Sequence, residues 1–302
     1  MIVLKSLGND RYDGLEAASA IARQIGWGAA DILQSFYTGI DASQLNIRDK
    51  RGEPVTAADI AVNNYIVAKL QENFGSEDIG YLTEETYKPP VGTTKAEALP
   101  ESWVWIIDPL DGTRDFIERT GEFSVHIALT YHGSPVLTVV TYPEVQKSYW
   151  AIKGGGSFVE TRDGKSQKLQ VSERDRWQDL SLVVSRTHRD ERFNLLLQQL
   201  PAQNKLYVGS VGCKIAAIVE QQADIYISLS GKSAAKDWDM AAPELILTEA
   251  GGQFTYLDGT PLKYNRGDVH QWGCLIASNG ICHSALLAEV KKILDEIDGK
   301  VG

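Results

Sequence analysis

Carboxylates recur in this sequence where an apolar, strand-like run ends. In the stretch VWIIDPLDGTRDF, such a run leads into Asp108 and, three positions later, Asp111. Glu84 and Glu85 follow the run YLT, and Asp239 lies in KDWDMAAPELILTEAGG. Carboxylates that converge in one cleft need cations to offset their repulsion, and ligation by oxygen alone favours Mg²⁺ or Mn²⁺ over zinc. Two such ions can polarise a phosphate ester, ionise a water molecule and stabilise a leaving oxygen.

Each acid also has a simpler structural explanation. Asp, Pro and Gly are the usual residues of turns, Glu84 could be a solvated surface acid, and Asp239 could complement a helix dipole. Asp59 fits a capping box with Thr56, whereas the catalytic interpretation makes it the base that, with Thr113, withdraws a proton from water. A covalent mechanism is disfavoured, because phosphatases that form an aspartyl-phosphate use an Asp-x-Asp pair and the two aspartates of DPLD are three apart.

The motif needs a strand and a helix to position it. Trp103 to Ile107 predicts a buried strand, which Pro109 ends because proline has no N–H to continue the ladder. Gly112 and Thr113 can then begin a helix whose unpaired N–H groups face an anion. The two aspartates would then lie at the end of a strand, beside a phosphate-binding turn.

The rest of the chain indicates layered α and β structure. Apolar spacing predicts two helices, from Leu15 to Phe36 and from Thr56 to Gly75, and three β-rich runs between Phe123 and Phe158 indicate antiparallel strands. The second half alternates strands with helices, which favours α/β layering. We predict two tightly joined halves, 1–155 and 156–302. Gly154 to Gly156 is interpreted as a hairpin turn, because a phosphate loop would continue with Lys-Ser/Thr and a helix.

Composition excludes several classes of function. The 302 residues are 43% hydrophobic and 23% charged, which is ordinary for a globular protein. A net charge of -10 without a Lys/Arg block argues against binding a nucleic-acid polymer. Three cysteines without CxxC spacing indicate neither a disulfide framework nor a zinc site and fit a reducing cytoplasm. We expect neither a signal peptide nor a transmembrane segment, because the apolar runs are too short.

In this order, PVTAAD, EE, WIIDPLDGT and WDMAAPELILTEAGG resemble the inositol monophosphatase-like superfamily of metal-dependent phosphatases. The resemblance implies a layered αβαβα sandwich with a mixed, largely antiparallel first sheet and a second α/β half. It implies two or three Mg²⁺ ions, water activation by Thr113 and Asp59, and a phosphate held by the amides of Gly112 and Thr113. The implied metal ligands are Glu84, Asp108, the carbonyl of Leu110, Asp111 and Asp239, with Glu85 and Asp49 as further candidates.

Within that superfamily, DGTRDF followed by GEF is similar to the DGTKEF and GEF of 3'(2'),5'-bisphosphate nucleotidases. The segments SRTH and GSVGCK resemble that branch's nucleotide-binding segments. This implies contacts from Ser210 and Lys214 to a non-scissile 5'-phosphate and from His188 to the ribose or base, with Lys236 as a further candidate for the phosphate. Two segments depart from the pattern: Glu53 replaces a serine before PVT, and GSVGCK is spaced differently from the usual GSSLK.

The sequence therefore predicts a Mg²⁺-dependent phosphomonoesterase, a monomer or homodimer, that acts on a small phosphorylated substrate. The favoured reaction removes the 3'-phosphate from adenosine 3',5'-bisphosphate (PAP), with its sulfated precursor (PAPS) as a further substrate and no covalent intermediate. Inositol monophosphatase and fructose-1,6-bisphosphatase are alternative activities. A non-catalytic sensor of the same fold is disfavoured, because every expected acidic ligand is present.

Overall fold

The computed structural model describes residues 11–39, 45–50, 53–75, 77–89, 93, 96–186, 189–202 and 204–299. The helices are α1 (Arg11–Gly39), α2 (Ala57–Phe74), α3 (Thr113–Ile117), α4 (Glu191–Gln199), α5 (Val211–Val219), α6 (Asp237–Glu249) and α7 (His283–Asp298). The strands are β1 (Arg48–Lys50), β2 (Glu53–Val55), β3 (Ile79–Thr83), β4 (Trp103–Asp111), β5 (Ser124–Tyr131), β6 (Ser134–Tyr142), β7 (Lys147–Ile152), β8 (Gly156–Thr161), β9 (Ser166–Lys168), β10 (Ser181–Ser185), β11 (Asn204–Val208), β12 (Ile225–Leu229), β13 (Gln253–Tyr256) and β14 (Cys274–Ser278).

Helices and sheets alternate in five layers. The first sheet has seven strands in the order β3-β4-β5-β6-β7-β8-β9, antiparallel except for the parallel pair β3 and β4. The second has five strands in the order β11-β10-β12-β14-β13. Helices α1 and α2 cover the outer face of the first sheet, α5 and α6 lie between the sheets, and α4 and α7 cover the second. The predicted αβαβα sandwich with a largely antiparallel first sheet is confirmed.

Strand β4 shows why the motif is preceded by an unbroken apolar run. Successive side chains of a strand point to opposite faces, and both faces of this sheet are covered by helices. Trp105 and Ile107 pack against α1 and α2, whereas Val104 and Ile106 pack against the helices between the sheets. A strand buried on both faces has no position for an alternating polar residue, so the first acid of the run, Asp108, comes at the edge of the core.

Several connections differ from the sequence expectation. The segment that ends with PVT, where no strand was predicted, contains the short strands β1 and β2, which pair antiparallel. Strands β8 and β9, which follow the predicted boundary at residue 155, complete the first sheet, and the second sheet begins at β10. The expected hairpin at Gly154 to Gly156 is confirmed, and the amides of Gly154 and Gly156 donate to the carboxylate of Glu249 at 2.7 and 2.9 Å. In the described part of the chain, no helix combines the length and apolar character that a membrane span requires.

Candidate active site

The DPLDGT motif lies on a bulged strand end. Asp108 pairs with His126 of β5, and Asp111 pairs with Ser124, but the register shifts between the two aspartates. A bulge inserts extra residues into one strand and redirects the side chains beyond it. The expectation that Pro109 ends the strand was wrong: β4 continues to Asp111, because a bulge tolerates a residue without an N–H.

The bulge brings both aspartates to one cavity of 640 Å³. Residues three apart on a regular strand would face opposite sides of the sheet, so only the shift in register allows both to line the same space. The cavity also receives Glu84 from the end of β3 and Asp239 from the first turn of α6. The predicted site residues that line it are Glu84, Asp108, Leu110, Asp111, Gly112, Thr113, Ser210, Lys214, Lys236 and Asp239.

Thr113 and Asp59 meet at the start of α3. The hydroxyl of Thr113 lies 3.2 Å from Oδ1 of Asp59 and 3.1 Å from the carbonyl oxygen of Leu110. Oδ2 of Asp59 accepts from the amide and hydroxyl of Thr56, at 2.7 and 2.6 Å, and forms the capping box of α2. Asp59 therefore caps its helix with one oxygen and contacts Thr113 with the other, so the structural and the catalytic interpretations are compatible.

Burial raises the pKa of Asp59 to about 6. The side chain is 1% exposed, and a carboxyl group removed from water resists ionisation. Its pKa therefore lies nearer to neutral pH than that of an ordinary aspartate, which suits a group that has to accept and release a proton.

The turn that presents Thr113 depends on Gly112. Its φ is 90°, in the left-handed region, and a Cβ at this position would lie 2.9 Å from the carbonyl oxygen of Glu122. Only glycine combines that backbone angle with so close an approach. Helix α3 has a single turn of 5 residues, so any anion beside it would be held by individual amides and gain little from a helix dipole.

Mutual repulsion marks the acidic side of the cavity. Burial and then the charge of Asp239 raise the pKa of Glu84 well above its ordinary value. Burial also raises the pKa of Asp108, and the charges of Glu84, Asp111 and Asp239 add to the rise. A set of carboxylate oxygens that repel one another suits a hard divalent cation. In the part of the chain that the structure describes, no group of three or more histidine, cysteine, aspartate or glutamate side chains is arranged so that it could hold a metal ion as it stands.

Asp111 is held by the second half of the molecule. Its Oδ2 accepts from the hydroxyl of Ser210 and, at 3.0 Å, from the amide of Gly212. The ring of His126 lies 3.2 Å from the same oxygen. Although burial acts in the opposite direction, His126, Ser210 and the nearby Lys214 lower the pKa of Asp111 below its usual range. This carboxylate is therefore ionised and fixed in orientation by helix α5 and strand β5.

The predicted phosphate-binding residues have protein partners. Ser210 caps α5, is 2% exposed, and bonds to Asp111 and, at 2.7 Å, to Ser124. Lys214 is equally buried; its ammonium donates to the carbonyl oxygen of Gly209 and lies 5.5 Å above the ring of Tyr226. Burial lowers the pKa of Lys214. Both residues line the cavity, but either would have to exchange a present contact to reach a phosphate.

The remaining predicted residues occupy less central places. Lys236 lines the cavity, and its amide donates to Asp239 at 2.8 Å, which orients that carboxylate. Glu85 is partly buried, and its charge raises the pKa values of both Glu84 and Asp59. Asp49 is exposed on β1, opposite Pro54, which borders the cavity. His188 lies outside the described residues.

Sequence reasoning missed Glu122 and His126. Glu122 of the GEF segment accepts from the amide of Gly209 at 2.6 Å and pairs with Arg186, so it holds the turn that leads into α5. His126 is completely buried on β5 and contacts Asp111. A signal was present in FSVHIAL, where a histidine interrupts a run that is otherwise buried and largely apolar.

A sequence model of the inositol monophosphatase family matches residues 15–295. The chain belongs to the inositol monophosphatase family. This confirms the resemblance inferred from the motifs. The family match spans both halves of the sandwich and includes every predicted site residue.

Curated relatives fall in the predicted branch. A protein of Salmonella typhimurium named 3'(2'),5'-bisphosphate nucleotidase CysQ is 35% identical over 252 residues, which cover 83% of this chain and 93% of the relative. The protein of the same name from Haemophilus influenzae is 31% identical, and the match covers 78% of this chain and 83% of the relative.

Solved structures share the fold. An inositol monophosphatase from Thermotoga maritima has a TM-score of 0.74 at 23% identity and covers 94% of this chain and 99% of its own. CysQ from Bacteroides thetaiotaomicron has a TM-score of 0.69 at 26% identity, and the match covers 87% of this chain and 97% of the CysQ chain. The fold is thus shared with both of these proteins.

Proposed function

We propose that this chain is a cytoplasmic Mg²⁺-dependent phosphomonoesterase that hydrolyses the 3'-phosphate of PAP to give AMP and phosphate, with PAPS as a further substrate. The observation that carries the proposal is the contact between Thr113 and Asp59 at the edge of a cavity whose lining includes the carboxylates of Glu84, Asp108, Asp111 and Asp239. A proton-accepting pair beside a cation-binding set is the arrangement that hydrolysis of a phosphate ester by water requires.

The donor set fits magnesium. All the acidic groups offer oxygen. Burial and, after it, mutual repulsion raise the pKa values of Glu84 and Asp108, and a divalent cation would offset that repulsion. The residues that would hold the ions are Glu84, Asp108, the carbonyl of Leu110, Asp111 and Asp239. When bound, Mg²⁺ would polarise the phosphate ester and make an adjacent water easier to ionise.

The chain's own residues supply the route for the proton. A water molecule that donates to Oγ1 of Thr113 can lose its proton as the threonine hydroxyl passes its own proton to Oδ1 of Asp59, 3.2 Å away. With its pKa at about 6, Asp59 is largely ionised at pH 7 and can accept that proton. The bonds from Thr56 hold the other oxygen, so the accepting oxygen keeps facing Thr113.

The favoured substrate carries a second phosphate. Besides its acidic side, the cavity is lined by the basic residues Arg114, Arg189, Lys214, Lys232 and Lys236. Basic residues that do not contact the scissile phosphate can bind a second phosphate group, which a bisphosphate provides. The names of the curated relatives point to the same class of substrate. Inositol 1-phosphate has no second phosphate for these cations, which makes it the weaker alternative.

The test is a substrate panel with released phosphate as the measurement. PAP, PAPS, inositol 1-phosphate and fructose 1,6-bisphosphate are compared at equal concentration, with Mg²⁺ or with a chelator. We expect PAP to have the highest kcat/KM and the chelator to abolish turnover. Faster hydrolysis of inositol 1-phosphate or of the sugar bisphosphate would overturn the choice of substrate. Turnover of PAP that persists after complete removal of metal would overturn the metal dependence.

A matched pair of variants assigns the activity to the site. In Asp111→Asn the amide oxygen can still accept from Ser210 and Gly212, so the fold should persist while a ligand charge is lost. We expect a fall in kcat of at least about 100-fold. Asp258→Asn changes an exposed turn aspartate that bonds to Thr260 and should keep full activity. Equal activity in the two variants would place the chemistry elsewhere.

A further inference from the structure

His126 connects two elements that carry acidic residues of the site. Its ring is completely buried on β5. Nδ1 lies 3.2 Å from the carbonyl oxygen of Trp238, and Nε2 lies 3.2 Å from Oδ2 of Asp111 and 3.0 Å from the hydroxyl of Ser124. One side chain therefore spans the distance from strand β4 to the first turn of α6.

The chemistry of the partners assigns one proton of the ring. A backbone carbonyl can only accept, so Nδ1 must carry the hydrogen that bonds to Trp238. The opposite nitrogen then either donates to Asp111 or accepts from Ser124, whose hydroxyl lies 2.7 Å from that of Ser210, a donor to Asp111. In the first case the ring connects the Asp111 carboxylate directly to the backbone of α6. In the second case the ring holds Ser124, which packs against Ser210, because each hydroxyl has a single hydrogen and that of Ser210 goes to Asp111.

That connection matters because Trp238 immediately precedes Asp239. The ring sets how far the start of α6 can move from β4, and with it the separation of Asp111 and Asp239. Both carboxylates line the cavity. Groups that hydrogen-bond to metal ligands fix the ligands' orientation, and their mutation typically lowers metal affinity about 10- to 100-fold.

The packing of α5 is fitted to the ring. A Cβ at Gly212 would lie 2.4 Å from Nε2 of His126 and 2.4 Å from Oγ of Ser124. The amide of Gly212 donates to the same oxygen of Asp111 that the ring approaches. The absence of a side chain at 212 thus leaves room for the histidine and for a direct amide bond to the carboxylate.

We propose that His126 is a positioning residue that holds Asp111 and Asp239 at the separation needed to bind the divalent cation. The inference rests on the metal site of the proposed function. It concerns the geometry of the ligands and does not depend on which phosphate ester is hydrolysed.

The experiment compares replacements at two buried histidines. His126→Leu fills the space without polar atoms, and His126→Asn keeps an amide that can donate to the Trp238 carbonyl. His283 is a matched control, because it is also buried and its ring also bridges two partners, Ser278 and Thr255, at 2.8 Å each. His283→Leu and His283→Asn repeat the same changes away from the cavity.

Each variant is measured in two ways. Calorimetric titration with Mg²⁺ gives the metal affinity, and thermal unfolding without metal gives the stability of the chain. We expect His126→Leu to bind Mg²⁺ about 10- to 100-fold more weakly than the wild type, and His126→Asn to lose less. The His283 variants should bind Mg²⁺ as the wild type does, whatever happens to their unfolding temperature.

Each result supports or overturns the proposal. Wild-type affinity in His126→Leu, or equal losses in the leucine variants at both positions, would overturn it. If His126→Leu fails to fold, the Mg²⁺ affinities of His126→Asn and His283→Asn are compared instead. Wild-type affinity in His126→Asn, or equal losses in the two asparagine variants, would then overturn the proposal. A wild-type chain that binds no Mg²⁺ would also overturn it. A wild type that binds Mg²⁺ but leaves PAP intact would instead refute the proposed substrate and leave the role of His126 standing.

Discussion

Replacing Gly212 with alanine adds one methyl group where helix α5 meets strand β5. The new carbon would lie 2.4 Å from Nε2 of His126, 2.4 Å from Oγ of Ser124 and 2.8 Å from a methyl group of Val140. Carbon atoms at ordinary contact stand about 3.5 to 4 Å from their neighbours. The helix, the ring or the serine must therefore move by about 1 Å, and each of them supports Asp111.

Two opposing effects determine the size of the change. Alanine is a better helix former than glycine by up to about 1 kcal/mol, which would stabilise α5. Overpacking a buried site costs about 1 to 3 kcal/mol, and each displaced hydrogen bond to Asp111 costs about 1 kcal/mol more. We expect a net loss of about 2 kcal/mol in the free energy of unfolding. For a chain of this size that lowers the unfolding temperature by about 4 °C.

Chemical denaturation and Mg²⁺ titration together measure this prediction. Gly39→Ala is the control, because Gly39 is also helical and a Cβ at that position would meet no heavy atom within 4 Å; it should leave stability unchanged or slightly higher. The double variant Gly212→Ala/His126→Asn should recover about 1 kcal/mol, since the shorter side chain relieves the contact. A Gly212→Ala chain as stable as the wild type, with unchanged Mg²⁺ affinity, would refute the close packing of α5 on the ring.

Three further predictions concern catalysis, pH and thiol reactivity. Thr113→Val keeps the shape but removes the hydroxyl that contacts Asp59, so kcat for PAP should fall about 100- to 10,000-fold with little change in KM; an active valine variant would contradict the proton route. Burial raises the pKa of Glu244 to about 7 from 4.5, so its folded form keeps a proton that the unfolded chain has lost, and stability falls as pH rises from 4.5 to 7. Glu244→Gln should therefore gain about 3 kcal/mol over the wild type at pH 8 and nothing at pH 4, measured by urea unfolding, and an equal gain at both pH values would contradict this. Burial raises the pKa values of Cys274 and Cys282 to about 12 and about 11 and raises that of Cys213 as well, so iodoacetamide at pH 8 should not label the native chain, and labelling detected by mass spectrometry would refute the burial of these thiols.

Local sequence was sufficient to predict those parts of the site that are formed by residues close together in the chain. Thr56 and Asp59 are three residues apart and form the predicted capping box. Gly112 and Thr113 begin a helix as expected, because a glycine that can adopt a positive φ starts the turn. The alternation of strands and helices predicted the layering, since each amphipathic element has one face to bury.

Features that depend on distant partners were not predicted. Pro109 was expected to end β4, but pairing with β5 carries the strand past it through a bulge. His126 interrupts an apolar run, but its partner Asp111 and the need for a glycine at 212 become evident only where β5 and α5 meet. Glu249 lies 93 positions beyond Gly156, yet its carboxylate closes that hairpin.

The sequence by itself determined the family, the acidic character of the candidate site and the short-range geometry, because residues within one turn or one strand constrain each other through backbone sterics and hydrogen bonds. The tertiary structure alone decided which carboxylates share a cavity, which oxygen of Asp111 is already engaged, and that Ser210 and Lys214 bond to the protein. Those outcomes depend on how the two sheets pack around α5 and α6. This packing sets the distances between residues that are far apart in the chain, and no single segment of the sequence contains a pattern that reveals those distances.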